Sequence, residues 1–161
     1  MTSISMNMYK SIFLSLFIIL FGSCQKEDEP FVSPCQDGLI KFDLFNDELN
    51  PKVRFKELGV FKEKYELIQS EHEMYEQLEI DYLKTKIDFK RKSLIVISVK
   101  LTTHAQVTAQ NITADCTNNK LRVKADLRYG SEAREGVSYV LAVITKVPVG
   151  TILEFSPNYT R

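Results

Sequence analysis

Histidine is nearly absent from this sequence, with only His72 and His104 among 161 residues, and tryptophan is missing altogether. A catalytic zinc needs three protein ligands and an open position, so two histidines without paired cysteines leave the common zinc sites incomplete. Only six glycines occur, and none of them builds a glycine-rich phosphate loop or a nucleophile elbow. Neither sign of charge is in excess: 21 basic residues balance 21 acidic ones. That balance excludes a general nucleic-acid binder, which needs a basic surplus on one face. No internal repeat and no low-complexity tract is present, and a hydrophobic content of 44% with 26% charged residues excludes wholesale disorder.

A long apolar run is also lacking. The stretch from Ser11 to Gly22 is preceded by Lys10 and followed by Ser23 and Cys24, and its apolar length is about 12 residues, where a membrane span needs about 20. It reads as the core of a removable leader over residues 1–23. Gly22-Ser23-Cys24 resembles a bacterial lipobox, with Phe21 in place of the commoner leucine, so Cys24 is the expected lipid-bearing residue. The next residues, Gln25 followed by Lys26, Glu27, Asp28 and Glu29, resemble the export signal of surface lipoproteins of the Bacteroidota. The expectation is an outer-membrane location, lipid-anchored and facing the cell surface. Removing the leader with Lys10 leaves a net charge of −1.

What remains suffices for one domain with one core. Residues 24–54 read as a lipidated tether and extended arm, carrying Pro30 and Pro34, with Leu39, Ile40, Phe42 and Leu44 suggesting a peripheral strand or packed loop. Residues 55–161 read as the β-rich domain. A strand at Tyr65 to Gln69 leads into Ser70-Glu71-His72-Glu73, a capping box, and Met74, Tyr75, Leu78 and Tyr82 recur at helical spacing. One amphipathic helix is therefore expected over Glu71 to Tyr82. Leu94 to Val99 is apolar at nearly every position, so it should be a central strand covered on both faces. Lys90-Arg91-Lys92 before it reads as a gatekeeper cluster in preference to a binding patch.

Asn118-Asn119 suit a two-residue type I′ hairpin turn. Counting outward sets Cys116 opposite Leu121, Ala114 opposite Val123 and Ile112 opposite Ala125, with Asp115 opposite Arg122 and Thr113 opposite Lys124 on the other face. A polar loop from Tyr129 to Gly136 precedes a strand at Ser138 to Val147, and a short last strand is expected at Thr151 to Phe155. The fold class is α+β, mainly β: a curved antiparallel sheet, folded into a sandwich or an open barrel, with one helix.

Chemistry is sparse. His72 and Glu76 lie four residues apart on one helical face, as in half of a zinc-protease helix, but the second histidine is missing. His104, beside Thr102 and Thr103, has hydroxyl neighbours without the orienting third group that a nucleophile and base require. Once Cys24 is acylated, Cys35 and Cys116 remain. They admit two readings: a disulfide suited to an oxidising compartment, or a Cys116 that serves as a small hydrophobe on an apolar face. Neither a metal site nor a cofactor is indicated.

The order of elements from Tyr65 to Phe155 resembles the C-terminal domain family of PrcB, a small lipoprotein subunit of a dentilisin-type surface protease complex. The likeness rests on Leu67-Ile68-Gln69-Ser70, Ile87-Asp88-Phe89 leading into Leu94-Ile95-Val96-Ile97, Leu121-Arg122-Val123 and Val147-Pro148-Val149. The chain departs from it at Thr102-Thr103-His104-Ala105-Gln106, where members of that family often carry glycines. The resemblance implies a non-enzymatic protein that binds, and stabilises or regulates, a secreted or surface protease. Contact residues would come from two loops: Thr102, Thr103, His104 and Gln106 in one, Ser131, Glu132 and Arg134 in the other. A hydrolase using His104 and an envelope structural component are the alternative expectations.

Overall fold

The computed structural model describes residues 34–44, 53–58, 62–80, 86–131 and 135–161. Ten strands and one helix occur among them. They are β1 (Gly38–Leu39), β2 (Phe42–Leu44), β3 (Val53–Phe55), β4 (Glu63–Ile68), α1 (Glu71–Gln77), β5 (Leu78–Ile80), β6 (Lys92–Leu101), β7 (Ala105–Asp115), β8 (Lys120–Tyr129), β9 (Gly136–Thr145) and β10 (Ile152–Thr160). Two four-stranded sheets, in the orders β1-β7-β8-β10 and β2-β9-β6-β4, form a sandwich, and β3 and β5 make a separate two-stranded ribbon.

Between the two sheets, Ile95, Ile97, Val140, Ala142 and Ile144 pack on Ile112, Leu121, Val123, Ala125 and Leu127. The opposite faces of β6 and β9 carry Leu94, Val96, Leu141 and Val143, which pack under Met74 of α1 and Val53, Phe55 and Leu78 of the ribbon. Because successive strand residues point to opposite faces, a strand buried on both is apolar at nearly every position. Hence Leu94 to Val99 has no exposed position, and β6 lies between β9 and β4 as a central strand.

The capping box starts α1 with one difference. Ser70 accepts from the Glu73 amide at 3.1 Å, but the Glu73 carboxylate reaches back to the amide of Gln69, at 2.8 Å. The helix then stops at Gln77, short of the expected Tyr82, which lies outside the described residues. Leu78 turns extended (φ −112°, ψ 140°) and pairs with Phe55, so its side chain joins the ribbon's buried face. Burial of Leu78 under a ladder outweighs the weak helical preference of its short segment.

The hairpin β7–β8 keeps the expected faces in a different register. Ala114 pairs with Leu121, Ile112 with Val123, Asp115 with Lys120 and Thr113 with Arg122, two residues from the expected pairing. The loop has four residues, Cys116 to Asn119, and Asn119 alone takes a positive φ, 51°. Asp115 closes it by accepting from the Asn118 amide at 3.1 Å. A shift of two preserves side-chain parity, so Ile112, Leu121, Val123 and Ala125 still face the core.

The last strand is longer than expected and runs parallel to β8, from Ile152 opposite Lys120 to Thr160 opposite Arg128. Topology explains the direction. β9 returns to the end where β8 began, and the chain crosses to the other sheet through a turn closed by Thr151 N–H donating to the Pro148 carbonyl at 3.3 Å. Gly150 there adopts φ +81°, which favours glycine. Any strand leaving that turn must travel as β8 does. The Ile152 amide donates to Asn119, so by alternation Pro157 faces the free edge, where its missing N–H costs no ladder bond and gives an incoming strand no donor.

From Gly38 onward the arm is built into the sheets, β1 on β7 and β2 on β9, and Ile40 and Phe42 pack against the inter-sheet core.

Candidate functional site

The long strands have about ten residues and separate the two ends of the sandwich by about 30 Å. One end carries the β6–β7 and β8–β9 connections; the other carries the β7–β8 hairpin, the turn after β9 and the incoming arm.

At the first end, Thr102, Thr103 and His104 form the connection, while Gln106 is already an exposed residue of β7. His104 is exposed at its side chain but fixed at its backbone. The Gly130 amide donates to the His104 carbonyl at 2.8 Å, and a Cβ on Gly130 would stand 3.1 Å from that oxygen. Gly136 lies as close on the other side, where a Cβ would meet the His104 Cα at 3.3 Å. Two loops are thereby locked together through one histidine, which brings Ser131 near Thr102 to His104. Glu132 and Arg134 lie outside the described residues.

The imidazole is held against backbone. Its Nδ1 lies 3.1 Å from the carbonyl oxygen of Ala105, and the Ser138 hydroxyl donates to that same carbonyl at 2.5 Å. The nearby hydroxyl and the imidazole therefore share a backbone partner instead of bonding each other. His72 and Glu76 both lie exposed on α1. Among the described residues, no group of three or more histidine, cysteine, aspartate or glutamate side chains is gathered as metal ligands would be.

The second end is where the arm enters. Cys35 and Cys116 form a disulfide, and the Cys116 amide donates to the Asp37 carboxylate at 2.7 Å. A cavity of about 370 Å³ opens beside this bond, with Ile40, Leu121, Val147 and Pro148 among its walls. Asn119 ties the hairpin to the following turn by donating to the Gly150 carbonyl at 3.2 Å and accepting from the Thr151 hydroxyl at 2.9 Å.

Lys146, at the same end, is buried and donates to the Gln69 carbonyl at 2.5 Å. Burial lowers the pKa of this ammonium, and the nearby Glu73 carboxylate partly restores it. On the outer face of the β8 sheet, hydrogen bonds from Asn118 hold the Asp115 carboxyl below the usual carboxylate range, with Arg122 adding to the effect. Glu154 is lowered first by Lys120, at 2.5 Å, and then by Arg122. These partly exposed ion pairs link β7, β8 and β10 and contribute little stability.

Sequence reasoning did not find the cavity or the burial of Lys146. Both depend on the crossing of β9 into β10, for which Pro148 and Gly150 mark a turn but no destination. Cys24 and Lys26 to Glu29 lie outside the described residues. Among the described residues no helix is long and apolar enough to cross a membrane.

No family model, no curated protein and no solved structure matches this chain.

Proposed function

We propose that this protein is a non-enzymatic lipoprotein of the outer membrane whose β-sandwich holds a protein partner, with a secreted or surface protease as the partner class. One observation supports the reading most: the disulfide-pinned entry of the arm and the locked loops of His104 occupy opposite ends of the sandwich. A lipid on Cys24 tethers the entry end through ten residues to Pro34, at most about 36 Å of chain. The loops at Thr102 to His104 and Gly130 to Ser131 then face away from the bilayer, each joining a strand buried on both faces, β6 or β9, to one covered on a single face, β7 or β8. Recognition loops on a scaffold of packed strands suit partner binding.

The test is residue-specific photocrosslinking on intact cells. A photoreactive side chain at Gln106 should capture a protein partner, while one at Asn118 on the tether end should not. Capture at Asn118 alone, or at neither position, contradicts the assignment.

A further inference from the structure

We infer that the tether end of the sandwich is a membrane-docking face, which dips aliphatic side chains into the lipid surface and presents basic residues to anionic headgroups. This inference rests on the proposed lipid anchor at Cys24, since that tether is what brings this end to the bilayer.

The large aliphatic side chains that stand exposed among the described residues are Leu39 (79%), Val149 (89%) and Ile152 (52%); the other exposed large hydrophobics, Tyr65, Tyr75 and Tyr159, each carry a hydroxyl. All three aliphatics lie at the entry end. Val149 is the tip of the Pro148–Thr151 turn, Ile152 begins β10 beside it, and Leu39 ends β1, four residues from Cys35. Scattered exposed apolar residues need no explanation, but aliphatics confined to one end do. Water is a poor neighbour for them there, whereas an acyl boundary is a good one.

The same end carries the basic trio before β6. Lys90 and Arg91 are exposed, as is Lys41 on the arm, and the Arg91 carbonyl accepts from the Lys146 amide, which places the trio against the strand that leads to Val149. Carboxylates at this end are already engaged: Asp37 by the Cys116 amide, Asp43 by Lys92, Asp88 by the Lys90 amide and Asp115 by Arg122. Two of these are paired with cations, Asp43 with Lys92 and Asp115 with Arg122, whereas Asp37 and Asp88 keep their charge; the attraction to an anionic leaflet comes from the exposed Lys41, Lys90 and Arg91. The trio's strand-flanking position serves as gatekeeper and headgroup contact alike.

Because the chain has no tryptophan, one introduced residue is a clean reporter. The full-length protein carrying Val149→Trp, purified from membranes and bound to phosphatidylethanolamine/phosphatidylglycerol vesicles containing brominated acyl chains, should show a blue-shifted emission that is mostly quenched. Ser131→Trp at the far end should stay water-like and unquenched. Adding Leu39→Asp and Ile152→Asp to Val149→Trp should abolish most of the quenching. The inference is overturned if the Val149→Trp protein, with acyl groups on Cys24 verified by mass spectrometry, is vesicle-bound yet unquenched, or if both reporters are quenched equally. It is also overturned if the blue shift develops without vesicles as protein concentration rises, which would mean that this end pairs with a second copy. Quenching of Val149→Trp in protein whose Cys24 carries no acyl group would sustain the docking face while removing the anchor.

Discussion

Cys35 and Cys116 are 81 positions apart in the chain, and their Cα atoms lie 5.8 Å apart across a disulfide that pins the arm to the β7–β8 hairpin. Closing a loop of that length restricts the unfolded chain by about 4.5 kcal/mol in the chain-entropy model. Reduction, or the double substitution Cys35→Ser/Cys116→Ser, should lower unfolding stability by roughly that amount at most. Urea titration with and without reductant measures it, and an unchanged midpoint would contradict the bond's structural role.

Much of this fold was legible because several signals were local. Ser70 and Glu73 announce a helix start through short-range bonds, and the run from Leu94 to Val99, apolar except at Ser98, requires two covered faces whatever the topology. The parity of β7 and β8 was legible for the same reason, since alternation survives a shift of two residues where a shift of one would invert it. What failed was non-local. The two asparagines allow a tight turn, but Asp115 and Asn118 build a longer one. Leu78 leaves the helix for a ribbon partner, Phe55, more than twenty residues upstream. The disulfide, left open against a buried free thiol, depended on where the arm enters. Of the site, the His104 loop was visible as a connection, whereas its lock onto Gly130 and Gly136 is a product of packing.

The helix start is a separable element. Ser70→Ala removes the acceptor for the Glu73 amide and should cost about 1 kcal/mol. Glu73→Ala frees the Gln69 amide and should add a comparable loss. Chemical denaturation of each single variant and of the double variant would show whether the two bonds act as one unit.

Ile97 lies at zero exposure between the sheets. Truncation to alanine should destabilise the protein by about 3 kcal/mol, because the surrounding sheets cannot fully collapse into the space. A loss below about 1 kcal/mol would show that the inter-sheet layer is less tightly packed than a native core.

Gly130→Ala places a methyl group about 3 Å from the His104 carbonyl, against backbone instead of a movable side chain. The two loops should separate, with a stability loss of about 1 kcal/mol and a larger loss of partner capture at Gln106. His104→Ala, by contrast, should leave the fold intact and remove no hydrolytic activity. An abolished activity with retained fold would replace the binding assignment by a catalytic one.

Lys146 predicts a pH dependence. Its folded pKa is lowered by burial, so the unfolded state binds more protons between that value and the ordinary lysine range. Its unfavourable contribution is fully present below the folded pKa and is relieved as pH rises toward the unfolded value. The parent protein should therefore gain stability relative to Lys146→Met as pH increases through the alkaline range. Tyr139 and Tyr159, raised mainly by burial, act in the opposite direction in both proteins and cancel in the comparison. A parent that loses ground to the variant would reverse the sign.

Intact mass analysis of the N-terminal peptide of the protein purified from cell envelopes tests the anchoring most directly. The account predicts a mature chain that begins at Cys24 and bears acyl groups on it; a chain that retains residues 1–23, or an unmodified Cys24 thiol, would contradict it.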